Sequence, residues 1–231
     1  MSDLNGTGNT QLQPRIGVLA LQGDFAEHIH MLVLIGVNAV EIRKVEQLSE
    51  IDGLIIPGGE STTIVKLLHM FGFVDELRSH VDSGMALWGT CAGMIVIARD
   101  LADPYPTPLN LIDIGVARNY FGRQVDSFES EINIDGIEGD PLRAIFIRAP
   151  IVQNTGPDVK VIASVPAKED GTPAQAVAVK KGRVMATSFH PELTGDTRVH
   201  TLFVELAEEA RNDVNQHSAQ SRSTEETPST V

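Results

Sequence analysis

The chain has 231 residues, 42% of them hydrophobic and 21% charged, the balance of one ordinary α/β domain large enough to bury a core without disulfide or metal support. Its single cysteine, Cys91, excludes an intramolecular disulfide framework and a multi-cysteine zinc site, and the formal net charge of −13 argues against a nucleic-acid backbone as partner. No apolar run approaches the ~18 residues of a membrane span, and the polar residues 1–14 lack the apolar core of a secretory signal, so a soluble protein of the cytoplasm is expected.

Residues 1–14 and 212–231 are rich in Gly, Asn, Ser, Thr, Gln and Glu and cannot bury enough apolar surface to offset their ordering entropy; both are expected to be disordered tails. Between them, over 15–211, short apolar runs alternate with helical patterns, which predicts one domain with a mostly parallel sheet covered by helices on both faces. Residues 15–21 read as a strand, 25–35 as a helix, 37–42 as a strand, and 54–56 as a short buried strand ended by Pro57, Gly58 and Gly59. Helical patterns follow over 62–71 and 74–81, then a strand over 85–88 and a helix over 92–99. Pro104, Pro106 and Pro108 impose a stiff loop after it. Further on, 125–134, 144–147, 159–165, 174–179 and 184–189 read as strands, and 196–210 closes the domain as an amphipathic helix with Val199, Leu202, Phe203 and Leu206 on its apolar stripe.

The sharpest local feature is Gly89-Thr90-Cys91-Ala92-Gly93, set between a predicted strand and a predicted helix. A nucleophile on such a tight turn has backbone on three sides and needs small neighbours, and the helix N-terminus beyond it favours an anion there. The alternative is that Cys91 is merely a small buried apolar residue. A cysteine nucleophile needs a base, and the base an orienting partner. His28, His30, His69, His80, His200 and His217 read as surface or helix-capping residues, whereas His190 directly follows a strand at the sheet edge where the cysteine turn should lie. Pro191 fixes the chain after it, so the Glu192 carboxylate can fold back onto the imidazole and hold its tautomer. Read alone, His-Pro-Glu could equally be the start of a helix. The third feature, Pro57-Gly58-Gly59-Glu60-Ser61-Thr62-Thr63, puts consecutive glycines at a strand end, as an oxyanion hole requires. Glu60 and Ser61 could instead only cap the next helix, and a phosphate loop lacks its Gly-Lys-Ser/Thr ending.

With these features in chain order, the sequence resembles the class I, triad-type glutamine amidotransferases, which have a flavodoxin-like three-layer fold. Within that class, Leu19-Ala20-Leu21-Gln22-Gly23, the 57–63 segment, the cysteine turn, Arg118-Asn119-Tyr120-Phe121-Gly122-Arg123-Gln124, Phe146-Ile147-Arg148-Ala149-Pro150 and Phe189-His190-Pro191-Glu192-Leu193-Thr194 resemble the glutaminase subunits of pyridoxal 5′-phosphate synthases. The resemblance runs over about 15–210. It implies that Cys91 attacks the side-chain amide of L-glutamine with His190 as base and then acid, and Glu192 orienting it. Gly59 and Ala92 would supply oxyanion donors, and Gly59, Glu60, Ser61, Arg118, Ile147 and Arg148 would hold the substrate. The ammonia would pass to a (β/α)8-barrel synthase subunit, with Gln22 coupling docking to activity, and the chain itself would need no cofactor and no metal. A cysteine hydrolase of other specificity and a non-catalytic scaffold subunit of the same complex are the competing readings; intact Cys91, His190 and Glu192 speak against the second.

Overall fold

A computed structural model describes residues 13–118, 127–167, 171 and 173–225, with side chains to 213. Four short apolar segments form its parallel centre: β1 (Arg15–Leu19), β2 (Asn38–Ile42), β3 (Gly53–Ile56) and β4 (Ala86–Thr90). Every residue of β3 and β4 is buried, as expected for strands covered on both faces. Three later strands, β10 (Lys160–Val165), β11 (Gln175–Lys181) and β12 (Val184–Thr187), complete a seven-stranded sheet in the order β10-β11-β12-β4-β3-β1-β2. The step from β12 to β4 and all those beyond it are parallel, whereas β11 runs antiparallel to both β10 and β12.

Side-chain alternation divides the core into two halves. Leu54, Ile56 and Leu87 face α2 (Ser61–Met70), α3 (Phe73–Asp82) and α4 (Ala92–Ile97), while Ile55, Ala86 and Trp88 face α1 (Phe25–Leu34) and α5 (Arg198–Glu225). The fit on the second side is close: a Cβ at Gly53 would lie 3.1 Å from both Ala207 Cβ and Phe203 Cζ of α5.

The elements expected from periodicity are present, with three differences. The helix after Cys91 ends at Ile97, and the chain enters β5 (Ala98–Leu101), which pairs with β6 (Ile112–Ala117) in a separate three-stranded sheet completed by β9 (Ile151–Thr155). Those strands are short and draw their order from partners far along the chain, so no local period marks them. Another small sheet joins β7 (Ser127–Ile132) to β8 (Leu142–Ile147). The third difference is at the end: α5 runs on to Glu225, through much of the segment expected to be a disordered tail from 212. Polar composition removes the reason to pack but not the reason to coil. No Gly or Pro interrupts 196–227, and a helix satisfies its own backbone hydrogen bonds whether or not its side chains are buried. Residues 1–12, 119–126 and 226–231, with the expectations made for them, lie outside the described residues. No helix among the described residues is long and apolar enough to cross a membrane.

Candidate active site

The carboxyl ends of β1, β3, β4 and β12 open on one edge of the sheet, where an open α/β fold places its ligands. A cleft of about 500 Å³ there is lined by Gln22, Asp24, Gly59, Glu60, Ser61, Cys91, Ala92, Ile95, Arg118, Ile147, Arg148 and His190. The described residues thus bring together, along one wall or another, nearly every residue singled out from the sequence; Glu192 stands directly behind.

Cys91 sits at the joint between β4 and α4 with φ 47° and ψ −103°, a conformation that costs a non-glycine residue of order 1–3 kcal/mol and persists only where the surroundings enforce it. They do. Its amide donates to Thr187 O of β12 at 2.8 Å, and its flanking glycines are in backbone contact. A Cβ at Gly93 would fall 2.0 Å from Ile56 O, and one at Gly89 2.5 Å from Gly93 O, so the Gly-x-Cys-x-Gly spacing is a steric requirement of the turn. The cysteine is 7% exposed, and its sulfur lies 3.8 Å from Ile147 O. Ile147 ends β8, and Arg148 after it takes φ 45°, a second strained position beside the cysteine.

His190 leaves β12 with its amide bonded to Ile145 O at 2.9 Å, and Pro191 starts a single 3-10 turn, Pro191–Leu193. That turn swings Glu192 back under the ring, where its Oε1 lies 2.7 Å from His190 Nδ1, leaving Nε2 for Cys91. Both side chains are almost fully buried. Burial pulls the imidazole down, but its interactions with Cys91 and Glu192 and their negative charges outweigh that and carry it up to about 10. Burial also pushes the Glu192 carboxyl up, opposed by its bond to His190. Asp24 Oδ2 approaches the same nitrogen at 3.6 Å, and burial raises that carboxyl too, against the pull of the imidazolium. Asp24, His190 and Glu192 therefore offer ligand atoms within 4.8 Å of one another, but Nδ1 of His190 is already committed to a carboxylate.

The loop after β3 faces this pair. A Cβ at Gly58 would meet His190 Cε1 at 2.5 Å, and one at Gly59 would meet Gln22 Oε1 at 2.6 Å. Gln22 Oε1 accepts from Glu60 N at 2.8 Å, and Asp24 N donates to Gly58 O at 3.0 Å, so the segment after β1 clamps the glycine loop from above. Glu60 caps α2, accepting from Thr62 N, Thr63 N and Thr63 Oγ1 at 3.3, 2.7 and 2.8 Å. Burial raises its carboxyl, yet these bonds from Thr62 and Thr63 outweigh it and hold the group ionised below its ordinary range. The capping reading of Glu60 therefore describes its present partners, and its place on the exposed cleft rim leaves an anion facing the cavity. Arg118 pairs with Asp103 at 3.1 Å, and Arg148 is exposed at the mouth. Residues 119–124 of the Arg118 motif lie outside the described residues.

The histidine expectations need one correction. His28 and His200 are not surface or capping residues: both are 0% exposed, packed against Trp88 in the core. A signal was present, because each lies on the apolar stripe of its helix, His28 in register with Met31 and Leu32 and His200 with Phe203 and Ala207.

A three-layer α/β domain with a strained cysteine turn at the carboxyl edge of its parallel strands defines the class I glutamine amidotransferase fold. A solved structure of a glutamine amidotransferase superimposes with a TM-score of 0.76 at 46% identity, over 83% of this chain and 98% of that one. A putative GMP synthase component from Thermoplasma acidophilum shares the fold at a TM-score of 0.60 and 16% identity, over 88% of this chain and 98% of that one. The chain belongs to the SNO glutamine amidotransferase family, whose sequence profile matches residues 18–209. It is 53% identical over 196 residues to the pyridoxal 5′-phosphate synthase subunit PdxT of Rhodococcus jostii, covering 84% of this chain and 97% of that protein. To the subunit of the same name from Dehalococcoides mccartyi (strain 195) it is 52% identical over 197 residues, covering 84% and 98%.

Proposed function

We propose that this chain is the glutaminase subunit of a pyridoxal 5′-phosphate synthase, hydrolysing L-glutamine to L-glutamate and ammonia and delivering the ammonia to a synthase subunit. The observation that carries the reading is the contiguous Cys91, His190 and Glu192 arrangement, with its 2.7 Å imidazole–carboxylate bond, behind a cleft rimmed by both an anion and cations. Glutamine carries an ammonium and a carboxylate at one end and an uncharged amide at the other. Glu60 suits the ammonium, Arg118 or Arg148 the carboxylate, and Ser61 and the Ile147 carbonyl the amide and backbone, which aims the amide carbon at Cys91.

The chemistry then follows from the groups present. The Cys91 thiolate attacks the amide carbon, forming the C–S bond as the carbonyl electron pair moves onto oxygen, where the Gly59 and Ala92 N–H groups donate to it. Collapse of that adduct restores the carbonyl, and His190 gives its proton to the departing ammonia, leaving a thioester. Water, deprotonated by His190, attacks the thioester, and glutamate leaves as the sulfur takes back its charge. Glu192 holds the ring orientation and balances the imidazolium throughout. No step calls for a metal or cofactor bound to this chain. The ammonia acceptor in this reading is a (β/α)8-barrel synthase subunit, and Gln22, whose Oε1 accepts from the Glu60 amide, would transmit docking to the oxyanion loop. A cytoplasmic site of action accompanies this reading, since a reducing compartment keeps a lone nucleophilic thiol from oxidation.

The test is glutamate release by the purified chain, alone and mixed with its synthase subunit. Activity is expected in the mixture, and Cys91→Ala should lower it at least ~10⁴-fold while the protein stays folded. Turnover unchanged in Cys91→Ala would discard the mechanism.

A further inference from the structure

Beneath Glu192, in the core rather than the cleft, α1 and α5 bring two imidazoles together. His28 Nδ1 lies 3.0 Å from His200 Nε2, and His28 Nε2 lies 3.2 Å from Thr90 Oγ1 and 3.4 Å from Glu192 Oε2. That carboxylate oxygen is buried and makes no hydrogen bond of ordinary geometry among the described residues, and neither does His200 Nδ1. Only one placement of protons suits these atoms. Were the His28 proton on Nδ1 and donated to His200, the bare Nε2 of His28 would accept from Thr90 Oγ1 but stand 3.4 Å from a carboxylate oxygen, and His200 would carry its own proton on Nδ1, a buried donor without an acceptor among the described residues. With the proton of His200 on Nε2, donated to His28 Nδ1, the His28 proton falls on Nε2, bonded to Thr90 Oγ1 and turned toward Glu192 Oε2, and the unpartnered nitrogen of the two rings, His200 Nδ1, is a weak acceptor.

We infer that His28 is a positioning residue for the pair His190–Glu192: a neutral imidazole, held by His200 with its Nε2–H toward Glu192 Oε2, that keeps the carboxylate ionised and its other oxygen on His190. Trp88 fixes both rings edge-on, at centroid distances of 5.5 Å from His28 and 5.0 Å from His200. The ionisable groups facing Glu192 are His190, His28 and Asp24, and those facing His28 are Glu192, His200 and His190. Neutrality of the deeper rings agrees with their surroundings: burial, then His200 and His190, push His28 well below its ordinary range, and burial takes His200 to about 3. A protonated His28 would compete with His190 for the carboxylate, whereas a neutral donor supports it without taking its charge.

Only the kinetic consequence rests on the glutaminase reading, so the test combines two readouts on the full chain. Ring ¹⁵N shifts are expected to place the His28 proton on Nε2, neutral at all pH values where the protein is folded. In His28→Leu the Glu192 carboxyl, followed by ¹³C, should titrate about one pH unit higher, the effect of removing an N–H dipole 3.4 Å from a buried anion. His28→Gln, whose amide nitrogen reaches the place of Nε2, should restore most of it. With the synthase subunit present, the acid limb of kcat should move up by the same amount in His28→Leu with KM for glutamine unchanged. A proton on Nδ1, an unmoved Glu192 titration in His28→Leu, or an equal shift in His28→Gln would each overturn the inference. If His28→Leu does not fold, the ¹⁵N tautomer and the His28→Gln titration decide it. A wild-type chain with no glutaminase activity would instead remove the functional reading and leave the ¹⁵N and ¹³C results to stand or fall separately.

Discussion

Two glycine turns face each other across the cleft, and they use glycine for different reasons. At 89–93 the missing side chains make room for backbone: Gly93 lies against Ile56 O and Gly89 against Gly93 O, so nothing there can give. At 58–59 they make room chiefly for side chains, since Gly58 lies against the His190 ring and Gly59 against the Gln22 amide as well as the Gly23 backbone. The first turn is therefore part of the joint between β3, β4 and α4, and the second is a fitted surface that sets where an imidazole and an amide rest. Similar sequence signals thus report a fold constraint on one side and a site constraint on the other.

The comparison can be broken by substitution. Gly93→Ala places a methyl 2.0 Å from a strand carbonyl, and we expect the largest effect there: a loss of more than about 4 kcal/mol of stability, seen as insoluble protein or a collapsed thermal transition. Gly58→Ala should destabilise far less, because its backbone is unstrained and the methyl can displace the ring, so the melting temperature should fall only by what the loosened His190–Glu192 contact contributed. Its glutamine turnover should fall ~10²-fold through a misplaced base. Equal destabilisation by both substitutions would mean that the two turns are alike after all.

The smallest and most specific expectation concerns pH. An imidazole at about 10 in the folded chain, against 6.5 as the ordinary value, holds its proton more tightly when folded. Its contribution to stability is therefore complete below about pH 6.5 and fades as pH rises toward 10. Thermal melts of the wild type across that window should show the decline, and in Gly58→Ala, with the ring pushed off Glu192, the slope should flatten. An unchanged slope would show that the loop does not set the position of His190.

Cys91, His190, Glu192 and the glycine loop are legible because each is written into a short local pattern, whereas Gln22, Arg118, Ile147 and Arg148 are reached only through the resemblance and Asp24 and Ile95 carry no signal of their own. Cysteine between two glycines, glycines after a buried strand, and His-Pro-Glu after another are constraints on a few consecutive residues, and a few consecutive residues are what a sequence displays. The strands β5, β6 and β9 are not legible for the opposite reason, since their order comes from pairing with distant segments. The extension of α5 escapes the compositional argument because polar composition speaks to burial, whereas a helix continued from a packed segment needs no buried partner to satisfy its own backbone.

By itself the sequence determined the alternation of strand and helix, the sheet edge at which the cleft opens, and the identity of the sulfur, imidazole and carboxylate that meet there. Only the tertiary structure decided what lies behind them. A histidine on a helix looks the same in sequence whether it meets water or the core, and His28 and His200, 172 positions apart, acquire their buried partnership only when α1 and α5 pack on the same face of the sheet. Burial and proton placement are properties of that packing, in which distant segments remove water from a polar group and must then supply its hydrogen bonds themselves.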